Sequence, residues 1–169
     1  ALNLKPDEGL ANTAQIVRNA AARISAHEGP LGLHLIRSPH TDILLQHSLN
    51  VAFIAMLMAR ELGMNPIEIE ETGLAGLVHD IGELKIPTQI TQKRGELNKS
   101  EQNFLNMHPQ YGLEMLTQLQ AFEPKIRQVA HLHHERLDGS GFPLGIKGGE
   151  IPPLARIIGL VDYYDELLH

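Results

Sequence analysis

The chain of 169 residues contains no cysteine. This absence excludes disulfides, thiolate zinc sites and cysteine nucleophiles, and it fits a reducing compartment. Residues 1–8 show no signal-peptide pattern, which together with the missing cysteine predicts a cytoplasmic protein. The longest apolar stretch, residues 51–59, is too short to cross a bilayer, so we expect no membrane insertion.

Aromatic residues and basic charge are also scarce. Aromatics make up 4% of the chain and there is no Trp, so the core must consist of Leu, Ile, Val, Ala and Met, which favour helices. The net charge of −6 excludes a broad basic face of the kind that binds DNA or RNA polymers. A small phosphate ligand is still compatible with this charge if metal cations supply positive charge locally.

Helical spacing of apolar residues dominates the chain. It predicts helices over residues 6–27, 42–62, 66–79, 108–119 and 124–134, a short one opening at Ser100, and a last one from 154 past 162. Thr41 or Asp42 is the expected cap of the second helix, which Gly63 ends. Residues 86–92 are expected to be irregular. Residues 138–153 contain five glycines and three prolines, so the predicted fold is an all-α helical bundle with a long Gly/Pro-rich loop before the last helix.

No internal repeat or break in composition divides the chain into two large domains. We expect residues 1–40 to form an N-terminal helix and connector, and residues 41–169 to form the main domain. The first helix is a candidate linker to an upstream domain. The last helical pattern reaches His169 without a Gly or Pro terminator, which predicts that the domain continues beyond this residue.

Several histidines and aspartates stand in or next to these apolar helical patterns. They are His47, His79, Asp80, His108, His133, His134 and Asp162. Neutral imidazole nitrogens and carboxylate oxygens are the ligands of borderline transition metals. The adjacent pair His79-Asp80 can reach two metal ions at once, with the carboxylate as the bridge. This arrangement points to hydrolysis of a phosphate ester by metal-bound hydroxide.

Each of these residues also has a purely structural explanation. His47 can be a satisfied core histidine, His79 and Asp80 can form a structural hydrogen bond, and His108 can be a helix-terminal residue. Burying an imidazole and a carboxylate is costly unless each is paired. Because the structural explanation must be invoked separately for every helix, the full set favours a metal site.

These residues resemble the HD-GYP family, a branch of the HD phosphohydrolase superfamily. The resemblance covers roughly residues 42–169. It is carried by His79-Asp80-Ile81-Gly82, by His108 with Pro109 and Gly112, by the run from His133-His134-Glu135 to Gly141-Phe142-Pro143, and by Asp162-Tyr163-Tyr164-Asp165. The run from the histidine pair to the Gly-Phe-Pro block is the most specific of these motifs.

The resemblance implies hydrolysis of cyclic di-GMP to the linear dinucleotide or GMP, by attack of a metal-bridging hydroxide. Carried over by position, it makes His47, His79, Asp80, His108, His133, His134 and Asp162 metal ligands, with Asp80 as the bridge. Two divalent transition metal ions are expected, iron or manganese first, with nickel, zinc or magnesium as further candidates. An upstream sensor or receiver domain and a homodimer are further expectations.

This sequence departs from the family pattern at three positions. Phe142 replaces the tyrosine of Gly-Tyr-Pro and so lacks the hydroxyl. Glu83 replaces a lysine that lies near the phosphate. It weakens phosphate binding, acts as an extra metal ligand one turn from His79, or is simply an exposed acid after Gly82. We therefore count Glu83 with Asp80 as a catalytic candidate. Ile43 stands where some members have a glutamate ligand, which predicts two metals rather than three.

Substrate contacts are assigned to the Gly-rich loop. In the family, the basic residues that hold the substrate lie shortly after the last ligand, and this sequence stops at His169. The remaining candidates for substrate binding are Lys147 and the Gly141-Phe142-Pro143 block.

Three functions remain open from the sequence. The first is the cyclic di-GMP phosphodiesterase. The second is a catalytically weakened metal-binding module with a regulatory or protein-interaction role, which Glu83 and Phe142 favour. The third is a hydrolase of another nucleotide or cyclic dinucleotide.

Overall fold

The computed structural model of the protein describes residues 6–32, 35–36, 42–120 and 122–168. Within these residues the secondary structure is helical and contains no strand, which confirms the predicted all-α class. The α-helices are α1 (Pro6–Ala26), α2 (Ile43–Glu61), α3 (Pro66–Val78), α4 (Thr88–Thr91), α5 (Lys99–Leu105), α6 (His108–Leu119), α7 (Pro124–Leu132) and α8 (Pro153–Glu166). Two 3₁₀ helices, Ile81–Lys85 and Gly148–Glu150, lie in the connections.

Helix ends agree with the sequence prediction except at two places. Residues 86–92, predicted to be irregular, contain the single-turn helix α4. The short helix α5 begins after Asn98 rather than at Ser100. The Asn98 side chain accepts from the amides of Ser100 and Glu101, and the Glu101 carboxylate accepts from the Asn98 amide. This reciprocal capping box satisfies donors that a cap at Ser100 would leave unpaired.

The cap of α2 is Asp42, whose carboxylate accepts from the Leu45 amide at 3.2 Å. The alternative cap, Thr41, lies outside the described residues. Gly63 follows the helix with a φ of +76°, a conformation that glycine adopts at low cost. The predicted loop between α7 and α8 is also present, and its 3₁₀ turn Gly148–Glu150 is the only helical segment that the structure shows within it.

The chain divides into two compact units. One consists of Ala1–Leu77 with Val161–His169, and the other of Val78–Leu160. The predicted domain boundary after residue 40 stays a prediction. In the first unit, α1 packs on α2, and both helices carry small buried side chains, such as Ala14 and Ala21 on α1 and Ala55 on α2. Arg60 of α2 donates to the carbonyls of His27 and Gly29, at 3.0 and 2.8 Å, just beyond the end of α1. This contact gives hydrogen-bond partners to two carbonyls of the segment that follows α1.

Helix α2 is long and apolar enough to cross a membrane by length and composition, with a mean hydropathy of 1.4 over a window of which 39% is buried. The core helix of a globular protein has the same character. Polar side chains inside α2 are used in the fold: buried Asn50 accepts from the Ile36 amide at 2.7 Å and donates to the Ile36 carbonyl at 3.3 Å.

In the second unit, the 3₁₀ helix Ile81–Lys85 packs on α6, and α6 packs on α7. Gly82 makes the first contact possible, because a Cβ there would overlap the His108 carbonyl oxygen and lie 2.5 Å from the Gly112 amide nitrogen. A side chain at Gly159 would likewise overlap the carbonyl oxygen of His133. Glycine at these two positions allows the backbone to pass directly beside two of the predicted ligands.

We expect Gly76→Ala to lower the free energy of unfolding by about 1–3 kcal/mol, because overpacking a tight helix contact costs about this much. A Cβ at Gly76 would lie 2.8 Å from the Cα of Ala52, on α2. Urea denaturation measures the change. The control is Gly9→Ala on α1, where nothing lies within 4 Å, and a gain of about 0.5–1 kcal/mol is expected. Equal stability of Gly76→Ala and the unsubstituted protein would contradict the close approach.

Candidate metal centre

Asp80 is the central residue of a buried cluster in the Val78–Leu160 unit. It follows the end of α3 and is 7% exposed. Its Oδ1 lies 3.2 Å from His133 Nε2 and 3.3 Å from His108 Nε2. Its Oδ2 lies 3.2 Å from His79 Nε2. A carboxylate that faces imidazoles with both of its oxygens has the geometry required of a bridging ligand.

Backbone carbonyls orient two of these imidazoles. His108 Nδ1 lies 2.8 Å from the Leu105 carbonyl oxygen, and His133 Nδ1 lies 3.2 Å from that of Val129. A carbonyl oxygen only accepts hydrogen bonds, so each Nδ1 is the donor. In a neutral ring the proton is then on Nδ1 and the Nε2 lone pair points into the cluster. A histidine whose outer nitrogen donates in this way is the usual form of a metal ligand.

His134 completes the group. Its Nε2 lies 3.1 Å from His108 Nε2, which in turn lies 3.4 Å from His133 Nε2. Ligand atoms of Asp80 and these three histidines all lie within 4.8 Å of one another. Nitrogen lone pairs that face each other repel unless a cation or a proton stands between them. The donor set of three imidazoles and a carboxylate therefore fits a divalent transition metal.

The pKa values of the buried imidazoles of His108 and His133 shift in opposite directions. Burial lowers the pKa of His133, so this ring stays neutral, as a ligand must. Burial also acts to lower the pKa of His108. The hydrogen bond and charge of Asp80 outweigh it, helped by the Leu105 carbonyl and the charge of Glu83, so the pKa of His108 is raised. The proton that His108 shares with Asp80 is one that a metal ion would displace.

The other unit holds a second group built on His47 of α2. His47 Nε2 lies 3.1 Å from Asp162 Oδ1, and His47 Nδ1 lies 2.7 Å from Asp165 Oδ2. Both carboxylates belong to α8 and are 1% and 0% exposed, respectively. The structure thus places the two predicted ligands His47 and Asp162 side by side within this unit.

Asp165 is a residue of this group to which the sequence prediction gave no role. Its carboxylate fixes the orientation of His47 from the side opposite Asp162. The spacing of Asp162 and Asp165 was the available signal, because residues three apart share one face of a helix. A carboxylate behind a ligating histidine both orients the ring and raises its basicity.

Glu83 lies in the 3₁₀ helix Ile81–Lys85 and is half-buried. Its charge contributes to the raised pKa of His108. It is not one of the four residues whose ligand atoms gather around Asp80 Oδ1. The structure therefore puts a negative charge beside the cluster at the position where the family has a lysine.

The predicted substrate residues lie in the loop after α7. The Phe142 ring stacks on the His134 ring, with centroids 4.6 Å apart and planes 21° apart. Gly141 has no room for a side chain, because a Cβ there would overlap the backbone of residues 134–136. Pro143 is exposed. Lys147 is exposed too, and its aliphatic chain covers Gly139.

The loop is held at its two ends by charged side chains. A hydrogen bond from the Ser140 hydroxyl is the main cause of the lowered pKa of Asp138, with a smaller effect from the charge of Lys147. The Arg156 guanidinium donates to the carbonyls of Ile151 and Gly148, at 2.8 and 2.7 Å. Lys147 is therefore the cationic side chain available on the outer surface of this loop.

Comparison with known proteins identifies relatives over nearly the whole chain. Residues 8–169 match the family described as HD domain. Cyclic di-GMP phosphodiesterase PA4108 of Pseudomonas aeruginosa is 34% identical, over 93% of this chain and 38% of its own length. The cyclic di-GMP phosphodiesterase response regulator RpfG of Xanthomonas campestris pv. campestris is 38% identical, over 70% of this chain and 32% of its own. The 3'3'-cGAMP-specific phosphodiesterase 1 of Vibrio cholerae is 40% identical, over 72% of this chain and 28% of its own length.

The chain thus spans less than two fifths of the length of these relatives. Among solved structures, Bd1817, a HDG"Y"P protein from Bdellovibrio bacteriovorus, superposes with a TM-score of 0.79 at 19% identity. The match covers 96% of this chain and 53% of that one. At this identity the likeness shows a shared fold.

We expect Asp165→Asn to weaken Mn²⁺ binding about 10–100-fold, the usual effect of removing a carboxylate that orients a ligating histidine. Asparagine keeps the shape and one acceptor oxygen but loses the charge beside His47 Nδ1. Titration of the apoprotein against a competing chelator measures the affinity. Glu61→Gln is the control, because Glu61 lies on the same helix as His47 with a side chain that is 77% exposed. Unchanged affinity in Asp165→Asn would show that His47 does not depend on this contact for metal binding.

Proposed function

The chain belongs to the HD domain family, in the HD-GYP branch whose motifs it carries, and on this basis we propose that it is a metal-dependent phosphodiesterase of cyclic dinucleotides. The preferred substrate is cyclic di-GMP, with the linear dinucleotide or GMP as product. One observation carries the proposal: three imidazole nitrogens lie within 3.3 Å of the two carboxylate oxygens of buried Asp80.

The proposed cofactor is a pair of divalent transition metal ions, iron or manganese first. The ligands are the seven residues of the family pattern: His47, His79, Asp80, His108, His133, His134 and Asp162. Two such ions would lower the pKa of a bound water molecule toward neutrality and would offset the negative charge of a phosphate. Ile43, at the position of the extra glutamate of some members, has no ligand atom, so the proposed number of ions is two.

The side chains around Asp80 have distinct tasks in this proposal. Asp80 spans the site with its two oxygens. His108 and His133 present Nε2 because backbone carbonyls hold Nδ1. Phe142 covers one face of His134 and keeps water from it. Gly141 and Pro143 shape the loop surface, and Lys147 attracts a substrate phosphate.

The substrate class follows from the relatives rather than from a pocket. Those compared above are named for cyclic di-GMP or for 3'3'-cGAMP, and both molecules are cyclic dinucleotides with two phosphodiesters. Measuring the hydrolysis of both compounds decides which of the two cyclic dinucleotides the protein prefers. We also propose a cytoplasmic setting, an upstream sensor or receiver domain and a homodimer. The name of the response regulator RpfG supports the regulatory setting alone.

A second candidate function is a metal-binding module with regulatory or protein-interaction activity. Glu83 favours it, since a negative charge beside His108 opposes binding of an anionic substrate. Phe142 does not add to this argument, because its contact with His134 uses the ring and needs no hydroxyl. Metal binding without hydrolysis in the Mn²⁺- or Fe²⁺-loaded protein would support the module and contradict the enzyme.

We expect Asp80→Asn to reduce hydrolysis of cyclic di-GMP by at least about 10²–10³-fold, the loss seen when one group that stabilises the transition state electrostatically is removed. The substitution keeps the shape of the side chain while removing the charge that two metal ions would share. Product formation with Mn²⁺ measures the rate, and metal content after dialysis shows whether an ion is lost. Full activity of Asp80→Asn would refute the proposed role of the cluster.

We expect Glu83→Lys to raise kcat/KM for cyclic di-GMP about tenfold or more, because replacing a repulsive charge by an attractive one stabilises the phosphate by at least about 1.4 kcal/mol. Glu83→Gln removes the negative charge without adding a positive one, so its kcat/KM should lie between those of the unsubstituted protein and Glu83→Lys. If both substitutions instead lower activity together with Mn²⁺ affinity, Glu83 is an extra metal ligand and the repulsion argument is wrong.

A further inference from the structure

Glu135 has a buried carboxylate that binds the loop after α7. It is 5% exposed. Its Oε1 accepts from the amides of Leu144 and Gly145 at 2.6 and 3.1 Å, and its Oε2 accepts from the amide of Ile146 at 3.1 Å. Hydrogen bonds to an ionised carboxylate are about twice as strong as those between neutral groups. Three of them converge here on one side chain.

The bonded segment begins two residues after Phe142, the residue that covers His134. Phe142 stacks on the His134 ring and meets the His108 ring edge-on, with centroids 6.4 Å apart. Its amide donates to the His134 carbonyl at 3.4 Å. Gly141, with no room for a side chain, brings the chain back against the backbone of Glu135. The loop thus begins after His133 and His134 and folds back so that Phe142 contacts His134. The Glu135 carboxylate holds it in this position through hydrogen bonds.

We propose that Glu135 is a positioning residue: by holding Leu144, Gly145 and Ile146 it keeps Phe142 on His134 and so fixes the ring of this ligand. Backbone carbonyls orient His108 and His133 through Nδ1. The His134 ring contacts the rings of His108 and His133, and Phe142 stacks nearly parallel on it. The consequence for turnover rests on the proposed function. The effects on the loop and on the His134 ring do not.

The role requires a carboxylate rather than an amide. Three amide donors share two acceptor oxygens in Glu135. Gln has one acceptor oxygen, and its NH₂ group would face an N–H. In Glu135→Gln at least one of the three amides therefore loses its acceptor, whichever way the side chain is turned.

The first measurement is hydrogen exchange by NMR on the apoprotein. We expect Glu135→Gln to lower the protection of at least one of the Leu144, Gly145 and Ile146 amides on the order of tenfold, because a partly buried N–H has lost its partner. The matched control is Glu150→Gln, in the same loop. Glu150 is exposed and accepts from a single amide, that of Lys147 at 3.2 Å, so its substitution should leave the three amides unchanged.

The second measurement separates positioning from simple support of the loop. In Glu135→Gln the ring-proton resonances of His134 should move toward those of Phe142→Ala, in which the stacking ring is gone. Both variants should weaken Mn²⁺ binding about tenfold. Phe142→Ala leaves the Glu135 carboxylate in place, so it should keep the three amides protected, and it tests the link to His134 even if Glu135→Gln fails to fold.

Two results would overturn the inference. Unchanged protection of all three amides in Glu135→Gln would show that the carboxylate does not hold the loop. Lost protection with unchanged His134 resonances and Mn²⁺ affinity would show that Glu135 supports the loop without positioning the ligand. If the unsubstituted protein hydrolyses no cyclic dinucleotide, the proposed function fails, while these two measurements still decide the role of Glu135.

Discussion

Much of the Val78–Leu160 unit can be understood from the cost of burying the charge of Asp80. An isolated carboxylate inside a protein costs several kcal/mol, and the cost is offset only by close partners of suitable charge or hydrogen-bonding capacity. The nearest atoms are the Nε2 atoms of His79, His108 and His133, all within 3.3 Å. The positive charge comes from a protonated His108 or from a bound cation, because the Nε2 lone pair of a neutral ring cannot supply it. Bringing the three imidazoles to one point requires three separate segments to approach closely, which explains why Gly82 and Gly159 have no space for a Cβ.

Helix termini supply the orientation that these ligands need. His108 is the first residue of α6, and His133 directly follows α7. The carbonyls that accept hydrogen bonds from their Nδ1 atoms belong to Leu105, the last residue of α5, and to Val129, in the last turn of α7. The last carbonyls of a helix have no partner within it. The His108 imidazole gives the Leu105 carbonyl a partner, and the His133 imidazole shares the Val129 carbonyl with its own amide, which lies at 3.0 Å. Both rings point their other nitrogen at Asp80.

How far the sequence could predict this arrangement depends on the range of each interaction. Helix limits and the Asp42 cap follow from local spacing, and the ligand types follow from the chemistry of His and Asp. The sequence identifies Asp165 only as part of a motif, because its partner His47 lies 118 residues away in the chain. The sequence also does not distinguish a carboxylate that binds metal from one that orients a histidine. Helix α4 was missed because a single turn has too few residues to show a period.

The loop after α7 was harder to predict for a different reason. Five glycines and three prolines in residues 138–153 identify a loop but do not say what holds it. Its fixed points are side chains outside the Gly/Pro-rich run, Glu135 on one side and Arg156 on the other. Both bind backbone groups, and backbone groups carry no signature in the sequence. A family motif marks such residues, but only the structure shows which amides they bind.

Of the three departures from the family pattern, Phe142 and Glu83 differ in the size of their expected effect on the site. Phe142 makes its contact with His134 through the face of the ring, so the missing hydroxyl removes nothing from that contact. Glu83 changes the sign of a charge that acts directly on His108. A phosphodiester approaching this cluster meets two neighbouring carboxylates, Asp80 and Glu83, in a chain whose net charge is already −6. In the proposed enzyme, positive charge beside Asp80 would therefore come mainly from bound cations, with Lys147 as a further cation on the loop. Metal occupancy, rather than the aromatic substitution, would then decide how well a phosphodiester binds.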